Sequence, residues 1–164
     1  MPALTIRIKK NKDGTAALSC TRADGTVTWQ KQNGQQAAFF PRHDLTHYAV
    51  ETVLGHRRGF YGVVADGWDL SDFGAPWPKG PMPADMDPSE LIVGFLDTER
   101  ASGTIWDASD LEAKAAQYFE MHNIDAKFSI TNDELWKVRQ RRGELFKMWE
   151  DVPPGDTLEL RFDI

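Results

Sequence analysis

"ALTIRIKKNKDGTAALSCTRADGTVTWQKQ", residues 3–32, decides the fold class. Leu4, Ile6 and Ile8 alternate with Thr5, Arg7 and Lys9, the two-residue period of a strand with one face in a core. Asn11-Lys12-Asp13-Gly14 then supplies turn residues. "TAALSCTR" (15–22) and "TVTWQKQ" (26–32) continue the pattern, separated by the Asp24-Gly25 hairpin signal. Three strands joined by short turns predict an antiparallel meander. At the far end, "PPGDTLELRFDI" (153–164) opens with a helix-ending Pro-Pro-Gly. Leu158, Leu160 and Phe162 then alternate against Glu159, Arg161 and Asp163. A fourth strand there pairs most simply with the meander and closes one domain over 1–164.

Between these ends the chain reads as helical, with three helix starts predicted from capping residues: Asp87-Pro88-Ser89-Glu90, Ser109-Asp110-Leu111-Glu112 and Thr131-Asn132-Asp133-Glu134. They open "SELIVGFLDTERA", "LEAKAAQYFEMHN" and "ELWKVRQRRGELFKMWEDV". In the last, Leu135, Trp136, Val138, Leu145, Phe146 and Trp149 form the expected apolar stripe. The expectation is an α+β fold, an antiparallel sheet of about four strands packed against four or so helices. Residues 59–87 have no clear period. "FYGVVA" within them suits a short helix or strand, and the glycines and prolines that follow predict a loop. Its Phe60, Tyr61, Trp68, Phe73 and Trp77 predict a segment packed down as a wall or lid over a cleft.

The chain has 164 residues, 41% hydrophobic and 27% charged, with 25 acids against 19 bases and a formal net charge of −6. That balance argues against a general nucleic-acid or anionic-membrane partner, both of which need a basic footprint. The single cysteine, Cys20, excludes an intramolecular disulfide and a cysteine-based zinc site, and its strand position suits a small buried hydrophobe. The N-terminal apolar run is too short and too charged for a signal peptide, and no stretch approaches the length that spans a bilayer. The expected location is the cytoplasm.

The chemistry concentrates in "FFPRHDLTHYAVETVLGH", residues 39–56. On a helix His43, His47 and Glu51 fall in one line at four-residue spacing, with Asp44 beside them. Two imidazoles at that spacing can share one metal ion, as in the zincin His-Glu-x-x-His arrangement, and a carboxylate can complete a three-ligand open site. Here aspartate replaces the glutamate. Helix rise sets His43 and Glu51 roughly 12 Å apart at the backbone, so two of the three bind directly and the remaining ligand comes from another helix. Asp97, Glu99, Glu120 and His122 are the candidates. The other faces, Leu45, Tyr48, Ala49, Val50, Val53 and Leu54, are apolar, which predicts a central helix whose buried polar groups must be paired or coordinating.

Two readings follow. In the first, His43 and His47 are ligands to a divalent metal such as zinc, Asp44 or Glu51 serves as ligand, orienting group or catalytic base, and Arg57 and Arg58 hold an anionic substrate. The chemistry would be of hydrolase or lyase type. In the second, the polar helix is a structural hydrogen-bond network in a non-catalytic domain that binds a small molecule or a protein. No motif indicates an organic cofactor: "GHRRGFYG" lacks the lysine-serine pair of a phosphate loop.

"FPRHDLTHYAVETVLG" followed by "GFYGVVADGWDLSDFG" resembles a family of small, uncharacterised bacterial proteins. They share a Pro-x-His-Asp-Leu-x-His-aromatic-x-Val-Glu core and a Gly-aromatic-x-Gly segment. The resemblance covers residues 39–74 and implies a bacterial cytosolic protein, with no activity attached. More distantly, His43, Asp44 and His47 are similar to the His-Asp-x-x-His zinc motif of a ubiquinone-biosynthesis family. That family's acid lies farther downstream, near Gly59 and Phe60 of this chain, and its all-helical fold differs from the β-rich ends here. Two further patterns read as ordinary structure: Asp66, Asp69 and Asp72 as turn formers rather than a calcium loop, and the basic run 137–147 as a solvated helix face that could also contact phosphate or an acidic partner.

Overall fold

A computed structural model describes residues 3–73, 83 and 85–164. Four strands, β1 (Leu4–Lys10), β2 (Ala16–Arg22), β3 (Val27–Gln32) and β4 (Thr157–Phe162), form one sheet in the order β3-β2-β1-β4. All pairings are antiparallel. The register sets Ile6 between Cys20 and Leu160, and Ile8 between Leu18 and Leu158, so one face of the sheet is continuous hydrocarbon. Each of these side chains is buried, and burial pushes the Cys20 thiol up to about 12.

The described residues form five α-helices, α1 (Gln35–Leu54), α2 (Phe60–Ala65), α3 (Ser89–Ser102), α4 (Ala108–Met121) and α5 (Asn132–Asp151), with a short 3-10 turn at Leu70–Phe73; α1, α2 and the end of α5 cover that face. Their starts differ in part from the capping pattern. Thr131 and Glu134 exchange the two hydrogen bonds of a capping box at α5, both 3.0 Å. At α4 the box is two residues earlier, between Asp107 and Asp110. At α3 no side chain caps the helix: the N-cap is Pro88, and the Asp87 carboxylate instead accepts the Arg58 N–H at 2.8 Å. The cap residue of α3 is therefore spent on tying down the α1–α2 connection. Trp136 lies off the apolar stripe of α5, 59% exposed.

Helix α1 divides the core. Leu45, Tyr48 and Ala49 pack with the sheet, α2 and the end of α5, whereas Val50, Val53 and Leu54 pack with α3, α4 and the start of α5. Having apolar partners on both sides explains why the helix is apolar nearly all round. The segment read as a loop at 59–87 begins with α2, where Phe60 packs on Phe73 at 4.8 Å between ring centres. Arg22 of β2 anchors it by donating to the carbonyls of Val64, at 2.7 Å, and Trp68, at 2.6 Å. Trp77 lies outside the described residues. Among the described residues no helix is long and apolar enough to cross a membrane.

Two glycines make opposite demands. A Cβ on Gly62 would sit 1.8 Å from the Arg57 carbonyl oxygen, whereas one on Gly143, in α5, meets nothing within 4 Å. Gly62→Ala is expected to cost about 3 kcal/mol by overpacking against backbone. Gly143→Ala should instead stabilise α5 by up to about 1 kcal/mol. Urea unfolding of both variants against the parent checks the pair.

Candidate metal centre

His43 and His47 lie one turn apart on the third and fourth turns of α1, with ring centres 4.8 Å apart and nearly perpendicular planes. Each ring is held from behind by a carboxylate. His43 Nδ1 contacts Asp97 Oδ2 of α3 at 2.5 Å, and His47 Nδ1 contacts Glu51 Oε2 at 2.9 Å. With Nδ1–H donating in each case, the tautomer is set and Nε2 is left as the nitrogen able to ligate. Glu90, in the first turn of α3, brings Oε2 to 2.7 Å from His47 Nε2. One ligand atom each from His43, His47 and Glu90 lie within 4.8 Å of one another, a group that could hold a metal ion.

Burial differs across the group. His47 is 2% exposed, while the Glu90 side chain is 74% exposed, so the cluster opens to solvent on the Glu90 side. Phe39 and Phe60 flank the rings at 5.2 Å from His43 and 5.1 Å from His47. Burial alone would lower the basicity of His47, but its hydrogen bonds and charge interactions with Glu51 and Glu90 outweigh that and raise it to about 10. The proton on Nε2 therefore occupies the place between nitrogen and carboxylate that a cation would take.

Glu51 is fully buried and accepts from three donors: His47, the Phe60 N–H at 3.0 Å and the Tyr61 N–H at 2.9 Å. Its carboxylate thus satisfies the first N–H groups of α2 while orienting the imidazole. Gly59 allows this approach, because a Cβ there would lie 2.6 Å from Glu51 Cδ and 2.4 Å from Ser89 Oγ. Asp44 faces a different partner. Gln32 of β3 donates to Asp44 Oδ2 at 2.9 Å, and the Tyr61 hydroxyl donates to the Asp44 carbonyl at 2.8 Å.

In the line His43, His47 and Glu51, the third group that could join the two histidines around an ion is thus Glu90 in place of Glu51. The second element is the predicted "LIVGFLDTE" helix, but the donor differs from the candidates. Asp97 orients His43. Glu99 is buried against Arg139, with contacts of 3.0 and 2.5 Å. His122 and Glu120 are at the exposed end of α4. From the sequence alone Glu90 reads as a capping residue. The signal available for it was an acid at the start of a helix whose N-cap proved not to use it. Arg58 pairs with Asp66 and, at 3.1 Å, with Asp85, while Arg57 is exposed. Among the described residues no contact joins either arginine to the three-residue cluster.

Burial, opposed by the Gln32 hydrogen bond, raises the Asp44 carboxyl from 3.8 to about 6. A folded-state value above the unfolded one means that the fold binds this proton more tightly. Its contribution is therefore fully present below about pH 4 and is lost as pH rises through about 6. Asp44→Asn keeps an oxygen for Gln32 and removes the buried charge. It is expected to raise stability at pH 7 by up to about 3 kcal/mol and to leave it nearly unchanged at pH 4. Thermal unfolding at the two pH values checks this.

No protein-family model, curated protein or solved structure matches this chain.

Proposed function

We propose that the protein binds one divalent transition-metal ion through His43, His47 and Glu90. The observation that carries this reading is the pair of imidazoles whose Nδ1 atoms are both turned away onto carboxylates, Asp97 and Glu51, with a third carboxylate at their ligating side. Carboxylate–histidine–metal relays have this form. Two nitrogens and one oxygen suit zinc and its neighbours. Ligand atoms around such an ion stand roughly 3.3 Å apart at bond lengths near 2.0–2.2 Å. The exposed Glu90 side chain supplies the movement that closes the group to that size. Three protein ligands with an open side leave positions for water and substrate, the arrangement of a catalytic centre rather than a closed structural one. The ion would act as a Lewis acid, in hydrolase or lyase chemistry. In this reading Glu51 and Asp97 orient ligands, and Asp44 belongs to the scaffold beneath them. The bacterial family and the cytoplasm suggested by the sequence fit this reading and add no residue to it.

The two-carboxylate clasp on His47 favours a second reading, a structural network around a buried imidazolium in a non-catalytic binding domain. Metal content separates the two. Protein purified without nickel resin is expected to carry about one equivalent of a transition metal and, after chelation, to take up about one equivalent of zinc. Glu90→Gln and His47→Ala should each weaken zinc binding at least about tenfold, as should Asp97→Asn, since loss of an orienting partner costs about 10–100-fold. Glu120→Gln should leave it unchanged. Folded protein that takes up no zinc, and whose melting temperature zinc leaves unmoved, rejects the metal reading in favour of the network.

A further inference from the structure

Beside the histidine cluster, three arginines from three helices meet around one phenyl ring. The guanidinium carbons of Arg42 (α1), Arg100 (α3) and Arg142 (α5) lie 6.0, 5.7 and 5.9 Å from the centre of Phe146. Their carboxylate contacts are long: 3.9 Å from Arg42 to Glu150, 3.5 Å from Arg100 to Asp97 and 3.5 Å from Arg142 to Glu99. Neighbouring Arg139 shows what a committed arginine looks like here, with its 2.5 and 3.0 Å grip on Glu99. Arg142 must share that same carboxylate. The three side chains are 31%, 29% and 16% exposed, so each is partly desolvated and still open to solvent.

We propose that Arg42, Arg100 and Arg142 form a binding site for a terminal phosphate group. The three guanidiniums come from three helices and keep only long contacts to Glu150, Asp97 and Glu99, so a bound anion would add shorter charge-assisted hydrogen bonds. Guanidiniums approaching from three elements suit the several oxygens and double charge of a phosphate better than a carboxylate, which one arginine can satisfy in bidentate fashion. Phe146 offers its ring to all three cations. Burial lowers the Arg142 guanidinium, Glu99 opposes that shift, and the charges of Arg139 and Arg100 add to it. Arg100 also shares two neighbours with His43: Asp97, and Phe39, which stacks on His43. A phosphate held here would thus lie next to the histidine cluster. The site's existence does not depend on that cluster holding a metal.

The test is calorimetric titration of the full chain, treated with chelator, with inorganic phosphate at constant ionic strength. One saturable site is expected, and chloride at the same ionic strength should not reproduce it. Arg100→Gln and Arg142→Gln should each weaken phosphate at least about tenfold, the scale of one lost charge-assisted hydrogen bond. Arg42→Gln is the variant safest for folding, given its exposure and its 3.9 Å ion pair, and it should weaken phosphate in the same direction. Arg161→Gln, on the far face of β4, should change nothing. His47→Ala should leave phosphate binding intact, which keeps this result separate from that of the metal centre. Tighter binding of glycerol 3-phosphate than of inorganic phosphate would support the site and assign it to a phosphomonoester, and the reverse order would support it as a site for the free ion. No saturable binding, equal binding by the folded Arg42→Gln and Arg100→Gln variants, or loss on His47→Ala alone would overturn the proposal.

Discussion

The Glu51 carboxylate is the interaction on which the rest of the site depends. It is fully buried, yet it has three N–H donors, two from the backbone at the start of α2 and one from His47. A carboxylate in the interior is tolerated only when its charge is met this way. The same contacts fasten α2 to α1 and fix which nitrogen of His47 faces outward. Gly59 is the backbone counterpart, since no larger residue fits between Glu51 and Ser89. Arg22 completes the arrangement from the other end of α2 by donating to the Val64 carbonyl. The short helix is thereby held at both termini by charged side chains from α1 and β2.

Helix α1 has to reconcile two apolar cores with a set of ionisable groups, and it does so by sending each group to a different element. Asp44 reaches β3 through Gln32, His43 reaches α3 through Asp97, and Glu51 reaches α2. Only His47 remains on the axis of the cluster, between its own helix's Glu51 and the Glu90 of α3. Three carboxylates around two imidazoles leave a local excess of negative charge. A proton on His47 reduces it, and a divalent cation would reduce it further.

Charge is arranged oppositely a few residues away. Asp97 stands at the border, contacting His43 on one side and Arg100 on the other. Beyond it the arginines of α1, α3 and α5 outnumber the acids within reach, and Glu99 serves two of them. An acidic chain thus carries arginines from three helices around one ring beside a group of imidazoles and carboxylates.

The strands were legible from the sequence because their period is local: Leu4, Ile6 and Ile8 announce a face, and Gly25, at φ +88°, announces a turn. The C-terminal strand followed from the same alternation, whereas its antiparallel pairing with β1 in particular was decided by the sheet. Pairing of His43 with His47 was also local, since four residues make one turn. The identity of the third member was not. Glu90 is 43 residues from His47, and its place was decided by how α3 docks on α1, with Pro88 as its N-cap and Asp87 bonded to Arg58. Likewise, "KVRQRRGELFK" showed a basic helix face but not that Arg142 would meet Arg42 and Arg100 around one ring. Side-chain type and short-range spacing are written along the chain and so settled the elements and the two histidines. Which groups from separate helices come within hydrogen-bond reach depends on the packing of apolar faces, and only the tertiary structure decided that.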